Sequence, residues 1–546
     1  MTRRSVVPLL VACVVLAVGC TRLENSVRGA RNSWTIPGTL RIAQRQDPDN
    51  LNPMLGTETV DIDLAMFWGA YLFRVNDRNE LVPELATVVP TQANGGISRD
   101  GRTITYHLRR GVRWHDGAPF TAQDVVFSWR AVLNPRNFAL THFGYDVISD
   151  ITQVNANTLI VHLKRPFAPF VTAFFAQGAG QAMCILPAHA LKKFRDINRV
   201  AYNARPIGTG PFIVASYEPG SRVLLVANDR YWRGPPRLKR IEFRIVGNDN
   251  TMAALMQSHQ LDFFYRAPEA MAAILRNIPG TRVVQTTLTR FYDIGFNALK
   301  PELHDIRVRQ ALAYATDRKA LIEKIAHGIA LPAHTLEPQL SWAFDSNAKQ
   351  YDYDPKRAQT LLDEAGWKVA ANGTRIKNGL PLGFELVSFT GSATVNAIEE
   401  LLQAQWRQIG ADVSIKNYPS GQLYATLGAG GIEQSGKFDA IIENWTDAVD
   451  PDDSILFACG MAPPAGWNVY HYCNPRVDAL ERIALRNYDR AVRRKAYVSI
   501  QEALNRELPF YVLWYQEQFD VVNSDLMNYR PAHAVTPFWN TWEWSI

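Results

Sequence analysis

Two familiar catalytic signatures are missing from this chain of 546 residues: no HExxH helix to hold a zinc ion, and no GxSxG turn to expose a serine. No nucleophile with a neighbouring base emerges from the other motifs. The chain is therefore expected not to be an enzyme, with no catalytic residue and no cofactor. The nearest approach to a phosphate loop is Gly431-Ile432-Glu433-Gln434-Ser435-Gly436-Lys437. It ends in Phe438 where Ser or Thr is required and leads into a strand instead of a helix, so it reads as a mobile surface loop. Cysteine is scarce, at five residues. Cys459, His471 and Cys473 lack the paired spacing and fourth ligand of a zinc site, and no metal is expected. After Cys20 no apolar run approaches the length of a membrane-spanning helix. Neither sign of charge dominates: the net charge of +6 falls by two when Arg3 and Arg4 are removed with a leader. That is too little over this length to imply a nucleic acid partner.

What is present begins at the N-terminus. Arg3 and Arg4 precede an apolar run over residues 6–18, the length of a signal-peptide core. The twin arginines leave both Sec and Tat export open. Ala17-Val18-Gly19-Cys20 then has the small residues and thiol of a lipobox. The reading is a signal peptide over 1–19, lipidation of Cys20 and a tethering linker over 20–35, with the chain outside the cytoplasm. The mature protein keeps Cys20, Cys184, Cys459 and Cys473. With Cys20 acylated, an oxidising compartment favours a bridge between Cys459 and Cys473, while Cys184 reads as a small buried hydrophobe.

Residues 103–108 alternate, with Ile104, Tyr106 and Leu108 on one face, as a half-buried strand does. Asp116-Gly117 supplies a turn, and Thr121 with Asp124 can cap a following helix. The string from 108 to 129, LRRGVRWHDGAPFTAQDVVFSW, closely resembles the signature of the family 5 extracellular solute-binding proteins, the peptide and nickel receptors of ABC importers. Further pieces extend the resemblance: GTGPF at 208–212 before a hairpin, FYDIGFNA at 291–298 as a strand, DIRVRQALAYATDRKALI within a helix over 306–326, and YDPKRAQTLLDEAGW from Tyr353. Residues 382–418 read independently as a β-α-β unit, which implies a parallel sheet with ligand chemistry at strand ends.

The resemblance implies an α/β, two-lobed periplasmic-binding-protein-like fold (type II, cluster C) with an extra inserted domain. The expected division is 36–74, 206–290 and 509–546 for lobe I, 75–205 for the inserted domain, and 291–508 for lobe II. It implies a monomeric receptor that captures peptides in the cleft and delivers them to ABC permease and ATPase subunits, anchored to a membrane through its lipid. A non-peptide solute (nickel chelate, haem or oligosaccharide) and a transport-independent sensor or chaperone are the alternatives.

The expected ligand-binding residues are Trp445, Thr446, Asp447 and Asp450, delivered by a strand over 438–442, together with Trp467. Peptide-binding members carry a tryptophan, an aspartate for the ligand's ammonium, then an acidic residue before proline. The spacing from Trp445 to Pro451 is one residue shorter here, so Asp447 and Asp450 both remain candidates. A carboxylate desolvated in a closing cleft must meet a cation. The competing reading is that these aspartates cap a helix near 452–457.

Overall fold

In a computed structural model describing residues 31–178, 183–533 and 536–546, the alternating segment forms the strand Thr103–His107, with Ile104 and Tyr106 fully buried. Thr121 and Asp124 close a reciprocal capping box on the helix Ala122–Val132. The leader and Cys20 lie outside the described residues. The end of the expected linker is tied down instead of free. Asn32 donates to the Gly280 carbonyl (2.8 Å) and to Asn523 (2.9 Å), and Thr35 donates to Asp525 (2.6 Å).

The histidine of the longest motif has a packing role. Its neighbours are the glycines of GTGPF: the Gly208 amide donates to His115 Nδ1 (3.1 Å), and Nε2 faces the Gly210 carbonyl (3.1 Å). This fixes a neutral ring with the proton on Nε2, and burial pushes its pKa down to about 4. Gly208 itself tolerates no side chain, because a Cβ there would lie 1.8 Å from the Trp68 carbonyl oxygen. Two motifs whose contacting residues lie 93 and 95 positions apart in the chain are thus one joint.

Eleven strands among the described residues form one mixed sheet. Its order is Asp412–Tyr418, Gly383–Phe389, Ala440–Thr446, Thr281–Phe296, Phe510–Asn523, Phe263–Ala267, Thr39–Gln44, Arg240–Ile245, Arg222–Ala227 and Phe212–Glu218, with Leu331–Pro332 paired to Phe510–Asn523. The predicted β-α-β unit is there: Gly383–Phe389 and Asp412–Tyr418 run parallel around the helix Ala393–Arg407. The expected single helix over 306–326 is instead two, Ile306–Tyr314 and Arg318–Ile325. Asp317 breaks it by accepting from the Ala320 amide as an N-cap.

Two long strands cross between separate cores. In Thr281–Phe296, Val284 packs against the core that holds Leu40 and Phe243, whereas Ile294 and Phe296 belong to the core that holds Leu386 and Trp406. In Phe510–Asn523, Val522 joins the first of these cores while Leu513 and Trp514 join the second. Residues 75–205 share the first core with the neighbouring strands. The pairing of the two crossing strands is interrupted between Thr287 and Phe291, where the cores change over. A break in the ladder lets a strand bend there.

Candidate functional site

The first part of the predicted motif, through Thr446, lies on a strand, and Asp447 and Asp450 follow its end. Ala440–Thr446, two residues later and four residues longer at its C-terminal end than expected, pairs antiparallel with Thr281–Phe296, placing Glu443 opposite Asp293 and Trp445 opposite Phe291. Side chains alternate, so Ile441, Glu443 and Trp445 share one face. Gly295 on the neighbouring strand has no side chain, and the Tyr470 ring lies against it, 2.2 Å from where a Cβ would stand. That contact aims the Tyr470 hydroxyl at Glu443 (3.2 Å).

Beyond Thr446 the chain is clamped to the interrupted stretch of the strand Thr281–Phe296. The Asp447 amide donates to the Thr289 carbonyl (3.2 Å), and the Thr289 hydroxyl donates to the Asp447 carbonyl (2.9 Å). The carboxylate of Asp447 is 3% exposed, and neither oxygen has a hydrogen-bond partner among the described residues. Burial, then Asp453, Glu337 and Asp293, push its pKa well above the ordinary carboxylate value. Thr446 accepts from Arg290 Nε (3.0 Å), and Arg290 has no carboxylate within ion-pair distance among the described residues.

Asp450 stands differently. Both its oxygens are taken by Arg493, at 2.8 and 2.5 Å, and both partners are nearly buried. The helix expected near 452–457 exists as the single turn Ser454–Phe457, but neither Asp447 nor Asp450 caps it. Asp452 accepts from the Ser454 amide (3.1 Å).

Trp445 and Trp467 line one cavity of about 420 Å³, with Phe389, Tyr424, Tyr470, Glu433 and Glu443. A disulfide joins Cys459 to Cys473 and closes the loop that carries Trp467. Asn468 pins that loop from inside, donating to the Ala458 carbonyl (3.1 Å) and the Tyr472 carbonyl (2.6 Å). Cys184 is a buried free thiol. The segment beyond the motif and the region just before the helix Arg490–Glu507 also touch residues 75–205. The Val449 amide donates to the Gly178 carbonyl (3.0 Å), and the Tyr488 hydroxyl donates to the Gly101 carbonyl (2.9 Å).

Several residues escaped the reading of the sequence. Glu433, in the loop taken as a mobile surface feature, is only 5% exposed and forms part of the cavity wall. Thr289, Asp293, Glu337 and Tyr470 complete the surroundings. The available signal was acidic residues within apolar runs, as in Ala440-Ile441-Ile442-Glu443 and Tyr292-Asp293-Ile294.

The site can be compared with known proteins. The model of the bacterial extracellular solute-binding proteins, family 5 (middle) matches residues 80–463. The dipeptide-binding protein of Escherichia coli is 27% identical over 516 residues, covering 90% of this chain and 92% of that protein. The glutathione-binding protein GsiB of Salmonella choleraesuis is 30% identical, covering 76% and 78%. The structure of NikZ from Campylobacter jejuni, solved with Ni(L-His), superposes with a TM-score of 0.78 at 27% identity, covering 94% of this chain and all of that one. With the family model matching residues 80–463 and a relative at 30% identity over three quarters of both chains, the chain belongs to the bacterial extracellular solute-binding proteins of family 5.

Proposed function

We propose that this receptor captures peptides by their N-terminal ammonium group and delivers them to the permease and ATPase subunits of an ABC importer. The observation that carries this reading is Asp447: a buried carboxylate beside the break in the strand ladder, with neither a hydrogen-bond donor nor an ion-pair cation among the described residues. Leaving such a group uncompensated costs several kcal/mol, and a matching ammonium offsets that cost by charge-assisted hydrogen bonds. Asp450 is excluded from the role because Arg493 already satisfies it. The dipeptide- and glutathione-binding relatives support the same ligand class. Arg290, in the interrupted stretch of the strand Thr281–Phe296, would receive a ligand carboxylate.

Capture would proceed in the open form. Closure about the break between Thr287 and Phe291 then brings Val449 to Gly178 and Tyr488 to Gly101, and the closed form docks on the permease. ATP hydrolysis belongs to the partner subunits.

The test is thermal unfolding of the soluble body from Thr21 onward with di- to octapeptides and their N-acetylated forms. A ligand at a hundred times its Kd stabilises by about 2.7 kcal/mol. Stabilisation is expected from free peptides and is expected to vanish on acetylation. Stabilisation by sugars or metal chelates alone would sink the peptide reading.

The anchor belongs to the same proposal: Cys20 carries the lipid that holds the receptor at a membrane surface. Cys20→Ser is expected to move the protein into the soluble fraction after cell lysis. Membrane retention that survives the substitution would remove the anchor.

A further inference from the structure

The cavity beside the motif strand holds a second group of acids, apart from Asp447. Glu433 enters its wall because the chain turns sharply at Gly431, where a Cβ would meet the Ala425 carbonyl oxygen at 1.8 Å. The Glu433 amide donates to the Leu423 carbonyl (3.2 Å), which holds the residue inward. Glu443 lines the same cavity, and both it and Asp293 act on Glu433 through their charge. Oε2 of Glu433 accepts from no donor among the described residues, and neither does Oδ1 of Asp293, itself 1% exposed. No lysine or arginine among them forms an ion pair with any of the three. Burial and the neighbouring carboxyls all raise the pKa of Glu433, with nothing opposing them.

Carboxyls that share one cavity disfavour each other's ionisation. A cation placed between them removes that constraint. The walls indicate which kind of cation. Trp445, Trp467, Tyr424 and Tyr470 present aromatic surface around about 420 Å³, room for an organic group and a poor match for a small metal ion. Among the described residues no group of three or more His, Cys, Asp and Glu is arranged to hold a metal. A guanidinium suits both features, being planar for stacking and rich in donors for two carboxylates.

We infer that this cavity is a subsite for the cationic end of a basic side chain on the bound peptide, with arginine preferred to lysine. The inference rests on the peptide reading above and narrows it to peptides carrying a basic residue. Trp445 connects the two sites: it lines the cavity and stands two residues before Asp447. A peptide held by its ammonium at Asp447 can therefore place a side chain past Trp445 into the acids.

The experiment is titration calorimetry with trialanine peptides in which arginine, or its uncharged isostere citrulline, is scanned through each position. Agmatine, which carries a guanidinium on no peptide, is titrated alongside. At one position arginine is expected to bind about tenfold or more tighter than citrulline, the value of a charge-assisted hydrogen bond. In the double variant Glu433→Gln, Glu443→Gln that ratio is expected to fall to about one. The ratio is read within each variant, so a general loss of stability does not imitate the result. A ratio near one at every position in the native protein, or one that survives the double variant, overturns the subsite. If no peptide binds but agmatine does, in a manner lost with Glu433→Gln, the peptide reading fails while the cation pocket stands. If neither binds, the cation pocket is overturned as well.

Discussion

Replacing Arg493 by methionine is expected to lower the unfolding free energy by about 3–5 kcal/mol, measured by urea denaturation. The guanidinium is buried on the helix Arg490–Glu507. It meets Asp450 with two nitrogens, donates from Nε to the Ala484 carbonyl (2.9 Å), and lies over the Trp342 ring at 5.2 Å. Methionine keeps much of the apolar packing but leaves the Asp450 carboxylate buried without a cation, in a region that already holds Asp452, Asp453 and Glu481. Those acids all bear on Glu481 or on one another. The double variant Asp450→Asn, Arg493→Met is expected to recover a large part of the loss, since no charge is then stranded. A loss under about 1 kcal/mol in the single variant, the range of an exposed pair, would show that Asp450 does not depend on Arg493. It would then be available to a ligand after all.

Asp447→Asn should move stability and binding in opposite directions. Peptide affinity is expected to fall by about 2–5 kcal/mol, roughly thirty- to several-thousand-fold, because the ligand's ammonium loses its counter-charge in a closed site. The ligand-free protein is expected to become more stable at neutral pH. The folded state raises the Asp447 pKa well above its value of about 3.8 in the unfolded chain. The folded form thus holds a proton that the unfolded form releases, and stability declines as pH rises from about 4 through the folded pKa. Asparagine has no proton to lose, so its variant lacks that part of the decline. Binding follows the complementary rule. An ammonium replaces the proton, so native affinity should rise with pH, by up to about tenfold per unit for one proton, and level off once the free carboxyl is ionised. Calorimetry in buffers of different ionisation enthalpy reads the released proton directly. Equal pH slopes for native protein and variant would remove Asp447 from the ligand. Simple misfolding cannot imitate the expected pattern, since it lowers stability and affinity together.

Much of the local structure was legible in the chain. The alternation of 103–108, the Thr121–Asp124 cap and the hairpin after GTGPF each depend on residues a few positions apart, and each formed as read. The stretch 306–326 divides into two helices for an equally local reason, since Asp317 serves better as a cap than as a helix interior. The acidic motif was legible only as a set. Asp447 and Asp450 are alike in sequence, and what separates them is an arginine 43 residues further on. Glu433 was hidden more thoroughly, because a glycine-rich polar segment reads as a surface loop unless the strand it folds against is known.

Taken alone, then, the sequence determined the α/β alternation, the caps and turns, and through its motifs the family to which the chain belongs. These are set by backbone preference, side-chain periodicity and hydrogen bonds between near neighbours. Only the tertiary structure decided which carboxylates are paired with protein cations, as Asp450 is, and which are buried without a partner among the described residues, as Asp447 is. That choice depends on burial and on distances between residues far apart in the chain. A carboxylate's charge is cheap in water and costly in a dry cleft, so its meaning follows from where the fold puts it.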